Sequence, residues 1–212
     1  MGIPNREQMR AALELRQGKA LTECFARGCV AVCGLGGLGS NIAISLARSG
    51  VGKLILIDFD CVDVTNLHRQ QYRAAQVGLP KTDALRQIIG EIAPYVEVET
   101  HAQRVTAQNC AELIGDANIV CEAFDGAQEK AMLANTVLET MPEKYLVAAS
   151  GMAGLDSANA VQTRRVAKRF YICGDGVSDV ADGIGLVAPR VMLCAAHQAH
   201  MVLRILAQQY DV

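Results

Sequence analysis

The 212-residue chain contains no tryptophan, and aromatic residues make up only 4% of it. Platforms for single-stranded nucleic acid stack bases on aromatic rings, so this scarcity argues against such a role. Charge argues the same way. Twenty Lys and Arg against 22 Asp and Glu give a formal net charge of −2, with no basic excess to draw the chain onto nucleic acid or an anionic membrane. No apolar run approaches the ~18 residues that suggest a bilayer span. The start, Met1-Gly2-Ile3-Pro4-Asn5-Arg6, has no signal-peptide core, and Arg6 stands where a myristoylation pattern needs Ser or Thr. A cytoplasmic location is expected, with no membrane and no nucleic-acid partner.

Also missing is any Cys-x-x-Cys pair. Cys24, Cys29, Cys33, Cys61, Cys110, Cys121, Cys173 and Cys194 are scattered, several inside apolar runs where cysteine behaves as a small hydrophobe. Zinc-ribbon spacing is absent, so free thiols and no zinc are expected.

What the chain does have is the run Gly34-Leu35-Gly36-Gly37-Leu38-Gly39-Ser40, between an apolar strand and a helix. Within Val30–Asp60, Gly34, Gly36 and Gly39 keep G-x-G-x-x-G spacing, and Asp58 follows the first glycine by 24 positions, ending a second strand. The first glycine permits a tight turn, the second lets phosphate approach the backbone, and the third lets helix pack closely on strand. The helix N-terminus then faces the negative charge. Asp58 suits hydrogen bonds from ribose hydroxyls. By itself the pattern fits NAD as readily as ATP.

Periodicity predicts strands at Cys29–Cys33, 54–57, 96–100, 118–124 and Tyr145–Ala149, alternating with helices at 38–49, Lys81–Ile92, 106–113 and 128–141. This alternation implies an α/β, Rossmann-like, doubly wound and mainly parallel sheet with helices on both faces. An amphipathic helix is expected over 4–18. Beyond Gly154 come strands at 159–166 and 169–173, a glycine-rich loop over 174–185 and a helix over 189–209, forming a C-terminal extension. The expected organisation is a single domain, 1–212: a helical arm (1–27), a nucleotide-binding core (28–150) and the strand, loop and helix of 151–212.

Asp58 and Asp125 are both expected at strand C-termini, where ligands of such sheets sit. Arg69 and Lys81 follow the Asp58 strand, near the mouth of the same crevice. Cations there suit the charge that builds as a P–O bond breaks, a need that NAD chemistry does not have. Asp125 suits Mg²⁺, which takes one or two carboxylates plus phosphate oxygens and water.

These motifs together carry a family resemblance: the glycine run, Asp58-Phe59-Asp60, Thr65-Asn66-Leu67-His68-Arg69-Gln70, Lys81 and Glu122-Ala123-Phe124-Asp125. The chain resembles the ThiF/MoeB family of carrier-protein adenylyltransferases, related to ubiquitin-activating enzymes, firmly over about 28–150. It most resembles the short ThiF form of thiamine biosynthesis. The resemblance implies MgATP-dependent adenylylation of the C-terminal glycine carboxylate of a small ubiquitin-like sulfur carrier (ThiS-like, with a Gly-Gly tail), releasing pyrophosphate. It assigns nucleotide binding to Gly34, Gly36, Gly37, Gly39, Asp58, Asp60, Thr65, Asn66, Arg69 and Lys81, charge stabilisation to Arg69 and Lys81, and Mg²⁺ to Asp125. It also implies a homodimer in which an N-terminal arginine, Arg10 or Arg6, enters the neighbour's site. Cys173, beside the glycine-rich loop, is the candidate thiol for a later sulfur step.

A MoeB-like molybdopterin carrier, a tRNA-dehydratase role and an NAD-dependent oxidoreductase remain as alternatives. Arg164, Arg165, Lys168 and Arg169 form a basic stretch, expected to be a solvated face or a dock for an acidic carrier. Cys194, His197 and His200 lack the further ligands a metal site needs, and are expected to be structural or interface residues.

Overall fold

The computed structural model describes residues 2–212. Strand β1 (Cys29–Cys33) and helix α3 (Gly37–Arg48) flank the glycine run, preceded by α1 (Arg6–Gln17) and α2 (Lys19–Ala26). Then follow β2 (Lys53–Ile57), α4 (Lys81–Ile92), β3 (Glu97–His101), α5 (Cys110–Ile114), β4 (Ile119–Glu122), α6 (Ala127–Thr140) and β5 (Tyr145–Ala149). The chain finishes with β6 (Gln162–Ala167), β7 (Phe170–Gly174) and α7 (Ala188–Leu206).

The strands form one seven-stranded sheet in the order β3-β2-β1-β4-β5-β7-β6. Every pairing is parallel except the β6–β7 hairpin. From β1 the chain winds outward to β3, then returns to start β4 on the other flank of β1. The switch point therefore lies between the C-termini of β1 and β4, where open sheets of this kind bind ligands.

Side-chain alternation divides the core in two. Val30, Val32, Leu54 and Leu56 point to the face covered by α3, α4 and α7, where Ile42, Leu85 and Val202 are buried. Ala31, Cys33, Ile55 and Ile57 point to the opposite face, against Leu113 of α5 and Leu133 of α6. A strand buried on both faces must be apolar at successive positions, which is why these segments read as continuous hydrophobic runs.

Several features differ from the sequence reading, among them the helix expected over 106–113, which is the short α5 over Cys110–Ile114, and the last helix, which ends at Leu206 rather than 209. A second short helix, α2, follows Gly18 (φ 88°), with Thr22 and Phe25 buried. The fourth strand stops at Glu122, so Asp125 lies in the following loop rather than at the strand end. The sixth strand starts at Gln162, after a single 3-10 turn over Ala158–Ala160. Helix α1 has no buried side chain; it is capped by Asn5 and Gln8 and tied down by Gln17 Nε2, which donates to the Ser49 carbonyl at 3.1 Å.

Gly39 is required by the approach of α3 to β1. A Cβ there would lie 1.8 Å from the Gly34 carbonyl oxygen, whereas one on Gly36 would meet nothing nearer than Gln70 Nε2 at 3.8 Å. Gly39→Ala is predicted to destabilise the chain by about 3 kcal/mol or more in urea unfolding, and Gly36→Ala by clearly less. Equal, small losses would show that the close approach is wrong.

Candidate nucleotide-binding site

The glycine run leaves β1 through Gly34, whose φ of 89° is open to glycine at little cost. Its N–H donates to the Ile57 carbonyl (2.8 Å), and a Cβ would press on the Ala123 carbonyl oxygen at 2.8 Å. The turn is thus wedged between the ends of β2 and β4. Leu35 is held on both sides. Its N–H donates to Asp58 Oδ2 (2.6 Å), and its carbonyl accepts from the Tyr72 hydroxyl (2.7 Å). Helix α3 then begins at Gly37 with no side-chain cap, leaving first-turn amides available to an anion.

Asp58 is 8% exposed and Lys81 6% exposed. Besides Leu35, the Asp58 carboxylate accepts from the Asp60 N–H at 2.8 Å, and it lies 3.9 Å from Lys81 Nζ. Burial pushes its pKa up, opposed by Lys81 and by the two amides. Lys81 Nζ also donates to Asp60 Oδ2 at 2.9 Å. A lysine in the first turn of α4 works against the helix dipole and is largely desolvated, two costs that Asp58 and Asp60 offset. The arrangement leaves a compact cation beside the glycine loop.

The 65–71 segment folds over the start of α3. Arg69 lays its stem along Gly37, where an added Cβ would sit 3.5 Å from its Cγ and Cδ, and Nη2 donates to Asn66 Oδ1 at 3.2 Å. Asn66 Oδ1 also accepts from Gln70 Nε2 at 2.8 Å. Thr65 is spent locally: its hydroxyl and N–H both bind Asp63 Oδ1. Asn41 Nδ2 donates to the Gly37 and Arg69 carbonyls, and its Oδ1 accepts from Gln71 at 2.6 Å, locking helix and segment together.

Asp125 is exposed and makes no ion pair with the described residues. Phe124, its neighbour, lies against Gly34, so the β4 loop borders the glycine turn directly. Beneath it, Glu122 is buried (1% exposed) and held by Lys130 Nζ at 3.0 and 3.1 Å. The Phe124 N–H donates to Glu122 Oε1 at 2.8 Å. Gln198 of α7 donates to the Glu122 and Val147 carbonyls, joining the ends of β4 and β5. Among the described residues no group of three or more His, Cys, Asp or Glu is arranged to hold a metal ion. A single exposed carboxylate of this kind would suit Mg²⁺, which takes one or two carboxylates plus phosphate oxygens and water.

The other candidates lie elsewhere. Arg6 stacks over Tyr95 (5.5 Å) and Arg10 pairs with Glu14 and Glu23, both around a cavity bordered by Gly52 and Glu97 at strand N-termini. That is the far end of the sheet from the crevice, so neither reaches the crevice of its own chain. Cys173 is fully buried, and burial pushes its thiol up to about 11 despite a contact with Thr163. Such a thiol is neither accessible nor ionised.

The basic stretch also disperses. Arg164 and Arg165 point to opposite faces of β6; Arg164 binds the Gly174 carbonyl, Arg165 that of Lys168, and Arg169 that of Pro142.

The sequence reading missed Tyr72, Asn41, Gln71, Lys130 and Gln198. It also missed Arg190 (5% exposed), which ties α7 to the glycine-rich loop through Asp175. Only Glu122 left a signal, a carboxylate in an apolar strand that demands a cation. Burial alone would raise the Asp175 pKa, but the Ser178 and Val177 amides, the Ser178 hydroxyl and Arg190 hold it well below the usual range.

A parallel sheet with a glycine-rich turn at its switch point is the architecture of doubly wound α/β folds, which bind their ligands there. The chain matches the ThiF family over residues 9–211, and it belongs to that family. It is 28% identical over 217 residues to the adenylyltransferase and sulfurtransferase UBA4 of Lodderomyces elongisporus, covering 99% of this chain and 45% of that protein. With ubiquitin-like modifier-activating enzyme 5 of Caenorhabditis elegans it shares 42% identity over 80 residues, 38% of this chain and 19% of the relative. The chain thus spans less than half the length of these relatives. The ATP complex of Escherichia coli tRNA N6-threonylcarbamoyladenosine dehydratase shares the fold, with a TM-score of 0.87, 23% identity and coverage of 99% and 98% of the two chains.

Two outcomes test the supporting network. Lys130→Met leaves Glu122 buried without its cation and is predicted to lower stability by about 3–5 kcal/mol in urea unfolding; a loss below about 1 kcal/mol would show the pair to be dispensable. Because the folded pKa of Asp175 is depressed, its stabilising effect is full above the unfolded value of about 3.9 and is lost as pH falls through the folded value. Asp175→Asn should therefore unfold more easily than wild type at pH 7, with the gap narrowing below about pH 4. A gap independent of pH would refute the assignment.

Proposed function

We propose that the protein is an ATP-dependent adenylyltransferase that activates a carboxylate by attack on the α-phosphorus of ATP. The observation that carries this reading is the desolvated Lys81, held between Asp58 and Asp60 beside the uncapped start of α3. A hydride-transferring dinucleotide enzyme gives that cation no task. Family membership and the names of the relatives support the same reading.

In this reading the amides of Gly36 and Gly37 and the first turn of α3 receive phosphate oxygens, and Asp58 and Asp60 lie toward the ribose. Asp58 keeps lone pairs free after binding Leu35 and Asp60, because an ionised carboxylate accepts about four hydrogen bonds. Thr65 acts by donating to Asp63, which caps the turn that leads to Asn66 and Arg69. The acceptor carboxylate is ionised at neutral pH, so no general base is required. Its oxygen forms a bond to the α-phosphorus as the bond to the bridging oxygen breaks, and the electron pair leaves with pyrophosphate. Arg69 and Lys81 offset the negative charge that develops, in fixed positions that need no reorganisation. Asp125 would hold Mg²⁺, which would add further neutralisation of phosphate charge when bound.

The acceptor we favour is the C-terminal Gly-Gly tail of a small ubiquitin-like sulfur carrier, in the finer form a ThiS-like carrier of thiamine thiazole biosynthesis. A homodimer would bring Arg6 or Arg10 of one copy toward the crevice of the other. The structural likeness to the tRNA dehydratase, which extends over 99% of the chain, motivates a second acceptor, the threonylcarbamoyl carboxylate of a modified tRNA.

ATP–pyrophosphate exchange with each acceptor tests the reading. Carrier-dependent exchange is expected, and Lys81→Ala or Arg69→Ala should lower it by about two orders of magnitude or more, the scale of a lost charge-stabilising donor. Exchange that survives both substitutions would overturn the assigned roles. Exchange with the tRNA alone would move the substrate to the second reading.

A further inference from the structure

On the opposite flank of α7 from α3, a cleft of about 450 Å³ opens between the helix and the edge strand β6. Its floor is apolar: Val161 is 4% exposed and Met201 1%. Above it stand Thr163 of β6 and His197, His200 and Arg204 of α7. The three α7 residues, at i, i+3 and i+7, share one helix face.

No acidic side chain lines the cleft; Val212, the last residue, also borders it, and its α-carboxylate forms no ion pair with Arg204, His197 or His200. Arg204 is held only by neutral acceptors, the Asp211 carbonyl at 3.0 and 3.1 Å and Gln209 Oε1 at 3.2 Å. Arg190, by contrast, pairs with the Asp175 carboxylate. His197 Nδ1 lies 3.0 Å from Thr163 Oγ1, which fixes the ring and leaves Nε2 without a partner among the described residues. The cleft therefore combines an apolar floor, a guanidinium held only by neutral acceptors and two imidazole rings on one helix face.

We propose that this cleft binds a small oxyanion, a phosphate- or carboxylate-bearing molecule, with Arg204 supplying the charge and His197 and His200 the directed donors. Charge-assisted hydrogen bonds are the strong ones, and a guanidinium fork suits both oxyanions. The surroundings of the imidazoles agree. Around His197 stand His200 and Arg204 on α7, Cys173 of β7 behind Thr163, and Arg165 further along β6. No carboxylate approaches it within ion-pair distance. Burial and the charge of His200 lower the pKa of His197, so a bound anion must raise it again.

Histidine-ring NMR of the full chain, titrated with inorganic phosphate and separately with citrate, tests the proposal without nucleotide, so its outcome is independent of the adenylylation reading. The rings of His197 and His200, assigned from His197→Gln and His200→Gln, should shift saturably, with titration midpoints moved to higher pH. His101, on β3, serves as the reference, and His68 separately reports anion binding in the nucleotide crevice. Arg204→Gln should weaken the response about tenfold, the equivalent of one lost charged hydrogen bond. A response to phosphate alone, citrate alone or both supports the site and names its chemistry. Unmoved His197 and His200 rings, equal drift of all four histidines, or full affinity in Arg204→Gln would overturn it.

Discussion

The Asp58 carboxylate is the constraint on which the rest of the crevice depends. It lies directly beyond β2, yet it fixes the glycine turn beyond β1 through Leu35, and it stands opposite Lys81 at the start of α4. Three elements far apart in sequence are therefore set by one buried acid. Removing it would free the Leu35 amide and leave Lys81 with only the half-exposed Asp60. A buried charge that loses its partner typically costs about 3–5 kcal/mol. Tyr72 holds the other side of the same peptide unit, so the turn cannot rotate without breaking two buried hydrogen bonds.

A comparable device operates on the other side of the switch point. Glu122 ends β4 as Asp58 follows β2, and Lys130 compensates its burial from the first turns of α6. Burial pushes the Glu122 pKa up, with Lys130 and the Phe124 amide pulling against it. Gln198 adds α7 to this node, and Arg190 secures the start of α7 to the glycine-rich loop. His68 Nε2 lies 3.3 Å from the Leu186 carbonyl, so that loop also meets the segment carrying Arg69. The floor of the crevice is thus rigid, built on buried ion pairs, while Asp125, Asp60 and the loop over 175–187 stand at its more exposed rim.

Much of this was legible in the sequence because strands buried on both faces leave unmistakable apolar runs. Cys29–Cys33, Lys81–Ile92 and Tyr145–Ala149 were read with the boundaries the structure has. The glycine spacing, Asp58 and Lys81 were equally legible, since tight turns, strand ends and a post-proline helix start carry local signatures. The supporting residues were not. Tyr72, Lys130 and Gln198 act through contacts across 37, 8 and 76 positions of chain, and no local pattern encodes such partnerships. Helix α2 was lost because Gly18 reads as a stop, whereas its φ of 88° joins two helices. The burial of Cys173 is hidden for a related reason: a glycine-rich neighbour suggests exposure, but the residue belongs to a strand covered by α7.

In the proposed reaction the fixed cations would neutralise charge at the α-phosphorus while a carboxylate adds. The most direct measurement follows the label from ATP carrying radioactive phosphorus at the α or at the γ position, incubated with a Gly-Gly-tailed carrier. The account predicts that α-label appears on the carrier as an acid-stable, base-labile adenylate, while γ-label leaves as pyrophosphate. Release of γ-label as orthophosphate with ADP, and no α-label on the carrier, would contradict it.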